Sequence, residues 1–163
     1  MSKNLLILGA GQYGMVAKEI AESMDCFDKI DFLDDNNEMA IGKLSDYKRL
    51  AVDYQYAFVA IGNSKIRMEL IEQLGPLYEI PILIHPKTYI SPTAKLGKGC
   101  IVEPMAVVQR DTWLKDGVIV SAGAVINHNS TVEAGCHINC GAIIASGVKV
   151  PAETHIECGQ VYD

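Results

Sequence analysis

No basic excess appears anywhere in this sequence: 14 Lys and Arg face 20 Asp and Glu, for a net charge of −6 over 163 residues. A nucleic-acid partner would want a basic stripe, so none is expected. Also lacking are any apolar run as long as a membrane span and any signal-peptide pattern at the amino terminus, so membrane insertion is not expected. The five cysteines form no disulfide framework, and a reducing cytoplasm is the expected location. Hydrophobic residues at 49% are those of a soluble globular protein.

What the sequence does have is a repeat. Every sixth residue from Ile90 is aliphatic, through Leu96, Val102, Val108, Leu114, Val120, Ile126, Val132, Ile138, Ile144 and Val150 to Ile156, with Tyr162 next. Two residues before most of these stands a small one, including Cys100, Ala106, Ala124, Ser130, Cys136 and Ala142. Residues i and i−2 of a strand face the same side, so both point inward. Three residues after the aliphatic come Gly99, Gly117, Gly123, Gly135, Gly141, Gly147 and Gly159, with Asp111 and Asn129 in two further slots. These are the residue types that tolerate positive φ at a tight corner. A six-residue period with such corners predicts a parallel β-helix, three hexads to a coil, about 19 Å tall over four coils.

The residues before the repeat read as an α/β unit. Asn4 to Leu8 is a strand ending in Gly9-Ala10-Gly11-Gln12-Tyr13-Gly14, and a helix follows with Val16, Ile20 and Met24 on one face. Further strands are predicted at Ile30–Leu33, Ala57–Ile61 and Ile80–Ile84, with a helix over Ser64–Leu74. The glycine-rich turn presents backbone N–H groups and a helix N-terminus to a phosphate, and Asp34-Asp35 could hold a ribose or base. A nicotinamide-dinucleotide site, a single-nucleotide site and a tight turn with no ligand all fit the turn. Only four strands precede Ile90, about one mononucleotide-binding half, which favours a single nucleotide such as that of an activated sugar. The expected domains are 1–85 and 86–163.

Packing explains nearly every repeat position, so the exceptions are candidates for chemistry. Histidines stand at 85, 128, 137 and 155. His85-Pro86 reads as a linker turn. His128 takes a hexad corner between Arg110 and Ser146 of adjacent coils, and is either a solvated side chain or a general base. His137 faces outward, stacked between Ile119 and His155. Cys136-His137-Ile138-Asn139-Cys140 could suggest zinc, but Cys136 points inward and Cys140 sits at a corner, so no metal is expected. Val107, Val125, Ile143 and Val161 form an outward apolar column, with Ile101, Ile119 and Trp113 on other faces; a homo-oligomer, most simply a threefold ring, is expected.

The Gly9–Gly14 turn, Asp34-Asp35, Ala60-Ile61-Gly62-Asn63-Ser64-Lys65-Ile66-Arg67, His85-Pro86, the hexads and Ala124-Val125-Ile126-Asn127-His128-Asn129 follow in a specific order. In that order the chain resembles the sialic acid O-acetyltransferase-like sugar acetyltransferases, among them bacterial UDP-4-amino-sugar and perosamine N-acetyltransferases. The resemblance implies a Rossmann-like nucleotide-sugar-binding domain followed by a left-handed β-helix of hexapeptide repeats, assembled as a homotrimer. It implies acetyl-CoA as acetyl donor in a cleft between prisms, His128 as general base, and His137 at the thioester. The nucleotide-sugar contacts it implies are Gly11, Gln12, Tyr13, Asp34 and Asp35, with Gly62 and Asn63 as further candidates. The implied activity is N-acetylation of a nucleotide-linked amino sugar. Sugar O-acetylation, an inactive nucleotide-binding scaffold and a zinc-dependent hydratase are the alternatives.

Three departures stand out. Some relatives carry Asp or Glu where Asn129 follows His128, so a charged partner for the histidine is missing. Tyr13 replaces a histidine often found in the turn. The family continues with more hexads and a tail, so the second domain is expected to be short at its carboxyl end.

Overall fold

The computed structural model describes residues 2–163, which divide into a unit ending at Pro81 and a second beginning at Ile82. In the first unit a three-stranded parallel sheet is built from β1 (Asn4–Leu8), β2 (Lys29–Leu33) and β3 (Tyr56–Val59), in the order β2-β1-β3. Helices α1 (Gln12–Ser23), α2 (Tyr47–Leu50) and α3 (Ser64–Leu74) complete it. Leu5, Leu6, Ile7 and Leu8 are fully buried, as the central strand of a sheet covered on both faces requires. On one face Leu6, Leu8, Leu33, Ala57 and Val59 pack with Ile71 and Leu74 of α3.

The buried face of α1 is Gly14, Ala17, Ile20 and Ala21, rather than Val16, Ile20 and Met24. The sequence pattern favours large apolar side chains, whereas the helix docks through its smallest ones. A Cβ on Gly14 would lie 2.1 Å from the Gly9 carbonyl oxygen, so only glycine permits that approach.

No fourth strand joins this sheet at Ile80–Ile84. The chain makes one isolated bridge from Glu79 to Tyr56, and Pro81, which has no N–H to donate, follows. Leu83–Ile84 instead pairs with Ile101–Val102 as the first strand of the repeat, so the division falls before, not after, His85.

The second unit is a β-solenoid of fourteen two-residue strands, from Leu83–Ile84 to Val161–Tyr162, in parallel sheets of five, five and four. Strand partners are eighteen residues apart, as in Val120 against Ile138 and Ile126 against Ile144. The aliphatic residues from Val102 to Ile156 and most of the small ones two positions earlier are buried at 0–2% exposure. Each fully buried aliphatic contributes roughly 1.5–3 kcal/mol. The inward polar atoms are satisfied by one recurring bond. Cys100 Sγ, Thr112 Oγ1, Ser130 Oγ and Cys136 Sγ donate to the carbonyls of Lys115, Asn127, Ala145 and Pro151, fifteen residues on.

Every corner from residue 99 to residue 159 has positive φ at six-residue spacing. Met105 (φ 64°) and Glu153 (φ 59°) occupy the two slots that lack Gly, Asn or Asp.

Ile101 and Ile119, expected on an open face, are buried at 0% and 2% exposure and stack in register with Leu83. An outward apolar column runs through Tyr89, Val107, Val125, Ile143 and Val161, with Tyr89, Ile143 and Val161 exposed and the two middle valines half-buried.

Candidate active site

In the first unit the glycine-rich turn follows β1 and the Ile61–Asn63 turn follows β3. The chain leaves β1 for β2 on one side, while β3 lies on the other. This is the strand-order reversal where open parallel sheets bind ligands, outside the carboxyl ends of their strands. The two turns touch: a Cβ on Gly9 would lie 2.5 Å from the Ala60 carbonyl oxygen. Gly11 and Gly62, by contrast, face open space, with nothing within 4 Å of a Cβ on either. Gly11 is the N-cap of α1 and Asn63 that of α3, so both helix N-termini rise from this crest.

The predicted contact residues divide by what already occupies them. Asp34 Oδ2 accepts from the Ala10 N–H at 2.8 Å and Oδ1 from the Asn36 N–H at 2.8 Å. Those amides hold its carboxyl below the usual range, the Ala10 bond first. Asn37 Nδ2 donates to the Ala10 carbonyl at 2.8 Å, so Asp34 and Asn37 together clamp the turn. Asp35 is exposed, and its Oδ1 accepts from the Leu44 N–H at 3.0 Å. Asn63 Oδ1 caps α3 by accepting from the Ile66 N–H at 3.0 Å. Gly11 and Gln12 are exposed and Tyr13 is half-buried at the start of α1.

Arg67 was legible only as part of a motif, and the structure gives it a task. Fully buried, it donates from Nη1 to the carbonyls of Ile61 and Gly62 at 3.0 and 2.9 Å, fixing the turn after β3.

In the solenoid, His128 sits exposed at its corner, stacked between Arg110 and Ser146. The Asn129 N–H donates to the Arg110 carbonyl and the Gly147 N–H to that of His128, each at 3.0 Å. His128 Nδ1 lies 2.9 Å from Asn129 Oδ1, and Asn127 Oδ1 accepts from the His128 backbone N–H at 2.9 Å. An amide oxygen only accepts, so Nδ1–H donates to it, an arrangement that in the neutral ring leaves the lone pair on Nε2. Asn129 thus supplies orientation where an acid would add charge. It does so from left-handed backbone (φ 59°), which the corner demands and Asn tolerates.

His137 is half-buried on its strand, paired in register with Ile119 and His155. Its Nε2 is 2.9 Å from Ser121 Oγ, and its ring meets that of His155 edge-on at 4.7 Å. Ser121 and Glu103, which the repeat pattern did not single out, carry polar groups on this face. His85 is a turn residue, accepting at Nδ1 from the Lys87 N–H at 3.0 Å. Cys136 points inward, while Cys140 is exposed at its corner. Among the described residues no helix is long and apolar enough to cross a membrane.

Comparison with known proteins places this arrangement. Residues 4–74 match the family model described as the PglD N-terminal domain. The UDP-N-acetylbacillosamine N-acetyltransferase of Bacillus subtilis (strain 168) is 28% identical over 61% of this chain and 51% of that protein. The chain thus spans about half the length of this curated relative. The acetyltransferase domain of PglB from Neisseria gonorrhoeae FA1090 superimposes with a TM-score of 0.94 at 32% identity, covering 98% of this chain and 82% of that one. The same domain in complex with acetyl coenzyme A gives 0.93 at 34% identity, covering 99% and 82%. PerB from Caulobacter crescentus, in complex with CoA and GDP-perosamine, shares the fold at a TM-score of 0.79 and 22% identity, covering 98% and 88%.

Proposed function

We propose that this chain, which belongs to the hexapeptide-repeat sugar N-acetyltransferases, transfers an acetyl group from acetyl-CoA to the amine of a nucleotide-linked, 4-amino-dideoxy sugar. One observation carries the reading: His128 stands exposed with its Nδ1 2.9 Å from Asn129 Oδ1, on a prism that matches one crystallised with acetyl coenzyme A.

The chemistry follows from the Nε2 lone pair of neutral His128. The sugar amine attacks the thioester carbonyl, forming the C–N bond as the C–S bond breaks. His128 Nε2 takes the amine proton and returns it to the departing thiolate. No covalent enzyme intermediate is invoked, so positioning of the two substrates supplies much of the rate. His137 lies at the thioester. The nucleotide-sugar occupies the crest of the first unit through Gly11, Gln12, Tyr13, Asp35, Gly62 and Asn63, with Asp34 shaping the turn.

The assembly we propose is a closed trimer, joined along a surface that includes the exposed Tyr89, Ile143 and Val161 column. A cytoplasmic setting, where acetyl-CoA is available, agrees with the free thiols.

The test is release of free thiol from acetyl-CoA against UDP-, GDP- and CMP-linked amino sugars, with wild type beside His128→Ala. Turnover of one sugar, lost by about 10²–10⁴-fold in the variant, is the expected result. Equal turnover by the variant overturns His128 as base. Turnover only with hydroxyl acceptors makes the enzyme an O-acetyltransferase. No turnover and no acetyl-CoA binding overturn the activity.

A further inference from the structure

Two exposed thiols stand one above the other on the solenoid. Ile138 pairs in register with Ile156, so Cys140 and Cys158, each two residues further on, occupy the same corner of adjacent coils. Ladder bonds bracket the pair: the Asn139 N–H donates to the Ile156 carbonyl at 3.1 Å, and the Gly159 N–H to that of Cys140 at 2.9 Å. The two corners also turn alike. Each is closed by a 3.1 Å bond, from the Ala142 N–H to the Asn139 carbonyl and from the Gln160 N–H to the Glu157 carbonyl. Gly141 and Gly159 follow the two cysteines at φ 65° and 69°. The side chains therefore leave the corner side by side rather than pointing apart. Both thiols are free and exposed.

Spacing decides what such a pair can do. Neighbouring strands run about 4.8 Å apart, inside the roughly 4.4–6.8 Å between Cα atoms that a disulfide spans. Parallel side chains start with their Cβ atoms about as far apart, whereas a relaxed bridge wants roughly 3.5–4.5 Å. The corners must therefore close by up to about 1 Å, and a bond formed under that strain is readily reduced. The inward thiols have no such option. Cys100 and Cys136 lie two coils apart with Val118 between them, about 9.6 Å and out of reach.

We propose that Cys140 and Cys158 form a reversible dithiol–disulfide site, oxidised by small-molecule disulfides such as that of glutathione. One protein thiolate attacks a sulfur of the small disulfide, whose S–S bond breaks and releases a small thiolate. The second protein thiolate attacks the protein sulfur of that mixed disulfide, forming the Cys140–Cys158 bond and releasing the other small thiolate. Two protein thiols thus lose two electrons and two protons, and one small disulfide becomes two thiols. The bridge ties the coil of His137 to that of His155, each three residues before its cysteine. This chemistry is independent of acetyl transfer.

The test is oxidation of the full chain carrying Cys26→Ser by glutathione disulfide at mildly alkaline pH, then alkylation, trypsin and mass spectrometry. Cleavage after Lys149 separates the two cysteines, so a bridge joins the peptide Asp116–Lys149 to the one beginning at Val150. That linked pair is expected, in a chain that stays single on non-reducing electrophoresis, and excess reduced glutathione should undo it. Cys140→Ser should abolish the link and leave a glutathione adduct on Cys158. A link that survives in Cys140→Ser runs through Cys136, which shares the first peptide, and overturns the proposal. Separate adducts on Cys140 and Cys158, a link between two chains, or no reaction at either thiol also overturn it. A bridge that excess glutathione leaves intact overturns its reversibility. Should Cys140→Ser fail to fold, Cys158→Ser decides in its place, with the adduct expected on Cys140. None of these readouts needs turnover, so a failed transferase assay and a failed bridge are separate results.

Discussion

The side chains of His128 and Asn129, adjacent in sequence, are locked to each other by a 2.9 Å bond from Nδ1–H to Oδ1. The corner forces Asn129 into left-handed backbone, and that same turn brings its amide against the imidazole.

Breaking that bond should cost orientation rather than basicity. Asn129→Ala is expected to lower kcat/KM by about tenfold, the equivalent of one hydrogen bond of about 1.4 kcal/mol. Asn129→Asp keeps the acceptor and adds a negative charge, so the acid limb of its pH–rate profile should move to higher pH. An Asn129→Ala enzyme as active as wild type would remove the orienting role.

Met105 holds positive φ while its side chain is 69% exposed, so the strain is not offset by burial. Relief of about 1–2 kcal/mol in Met105→Gly is partly offset by about 0.5–1 kcal/mol of added chain entropy in the unfolded state. A net gain of roughly 0.5–1 kcal/mol is expected, read as a higher denaturation midpoint.

Asp34 makes stability depend on acid. Its folded carboxyl lies below the ordinary value of 3.8, so its contribution is fully present well above that pH and is lost as pH falls toward the folded value. Asp34→Asn should therefore be less stable than wild type at neutral pH, by about 1 kcal/mol. The difference should narrow below pH 3.8 in parallel denaturant titrations.

The thiols should separate into two classes. Desolvation pushes Cys100 up to about 12 and raises Cys136 as well, and both donate to backbone carbonyls inside the prism. Alkylation of the native protein, mapped by mass spectrometry, should modify the exposed Cys26, Cys140 and Cys158 and spare those two.

Arg67→Met should destabilise the first unit by roughly 1.5–3 kcal/mol, because it removes the guanidinium hydrogen bonds to the Ile61 and Gly62 carbonyls that fix the turn after β3. Thermal denaturation measures this. Rescue by Arg67→Lys should be partial, since an ammonium lacks the guanidinium fork.

The solenoid was legible because each coil repeats the same demand. The positions that fill the interior and the corners are dictated by a period, and even Met105 and Glu153 obey the corner φ against their own preference. The first unit was less legible where small residues decide packing. Gly14, Ala17 and Ala21 form the docking face of α1, and no hydropathy pattern weights them above Val16. Ile84 stands six residues before Ile90 and so belongs to the period, but prolines at 81 and 86 interrupt the pattern around it, and the ladder to Ile101–Val102 reveals its sheet. At the site, His128 was visible as an exception to the hexad. Ser121 was not, since it is an ordinary polar residue until the stacked coils set its hydroxyl beside His137.

The eighteen-residue spacing of the strand ladder turns this half of the protein into something like a reading frame. Deleting one residue between Val102 and Ile156 would shift every later side chain one slot out of phase, turning the inward aliphatics to the outer surface. Loss or gain of a whole eighteen-residue coil leaves the phase intact. Changes of length in this segment are therefore quantised, and viable variants should differ by complete coils or by bulges that interrupt a single corner.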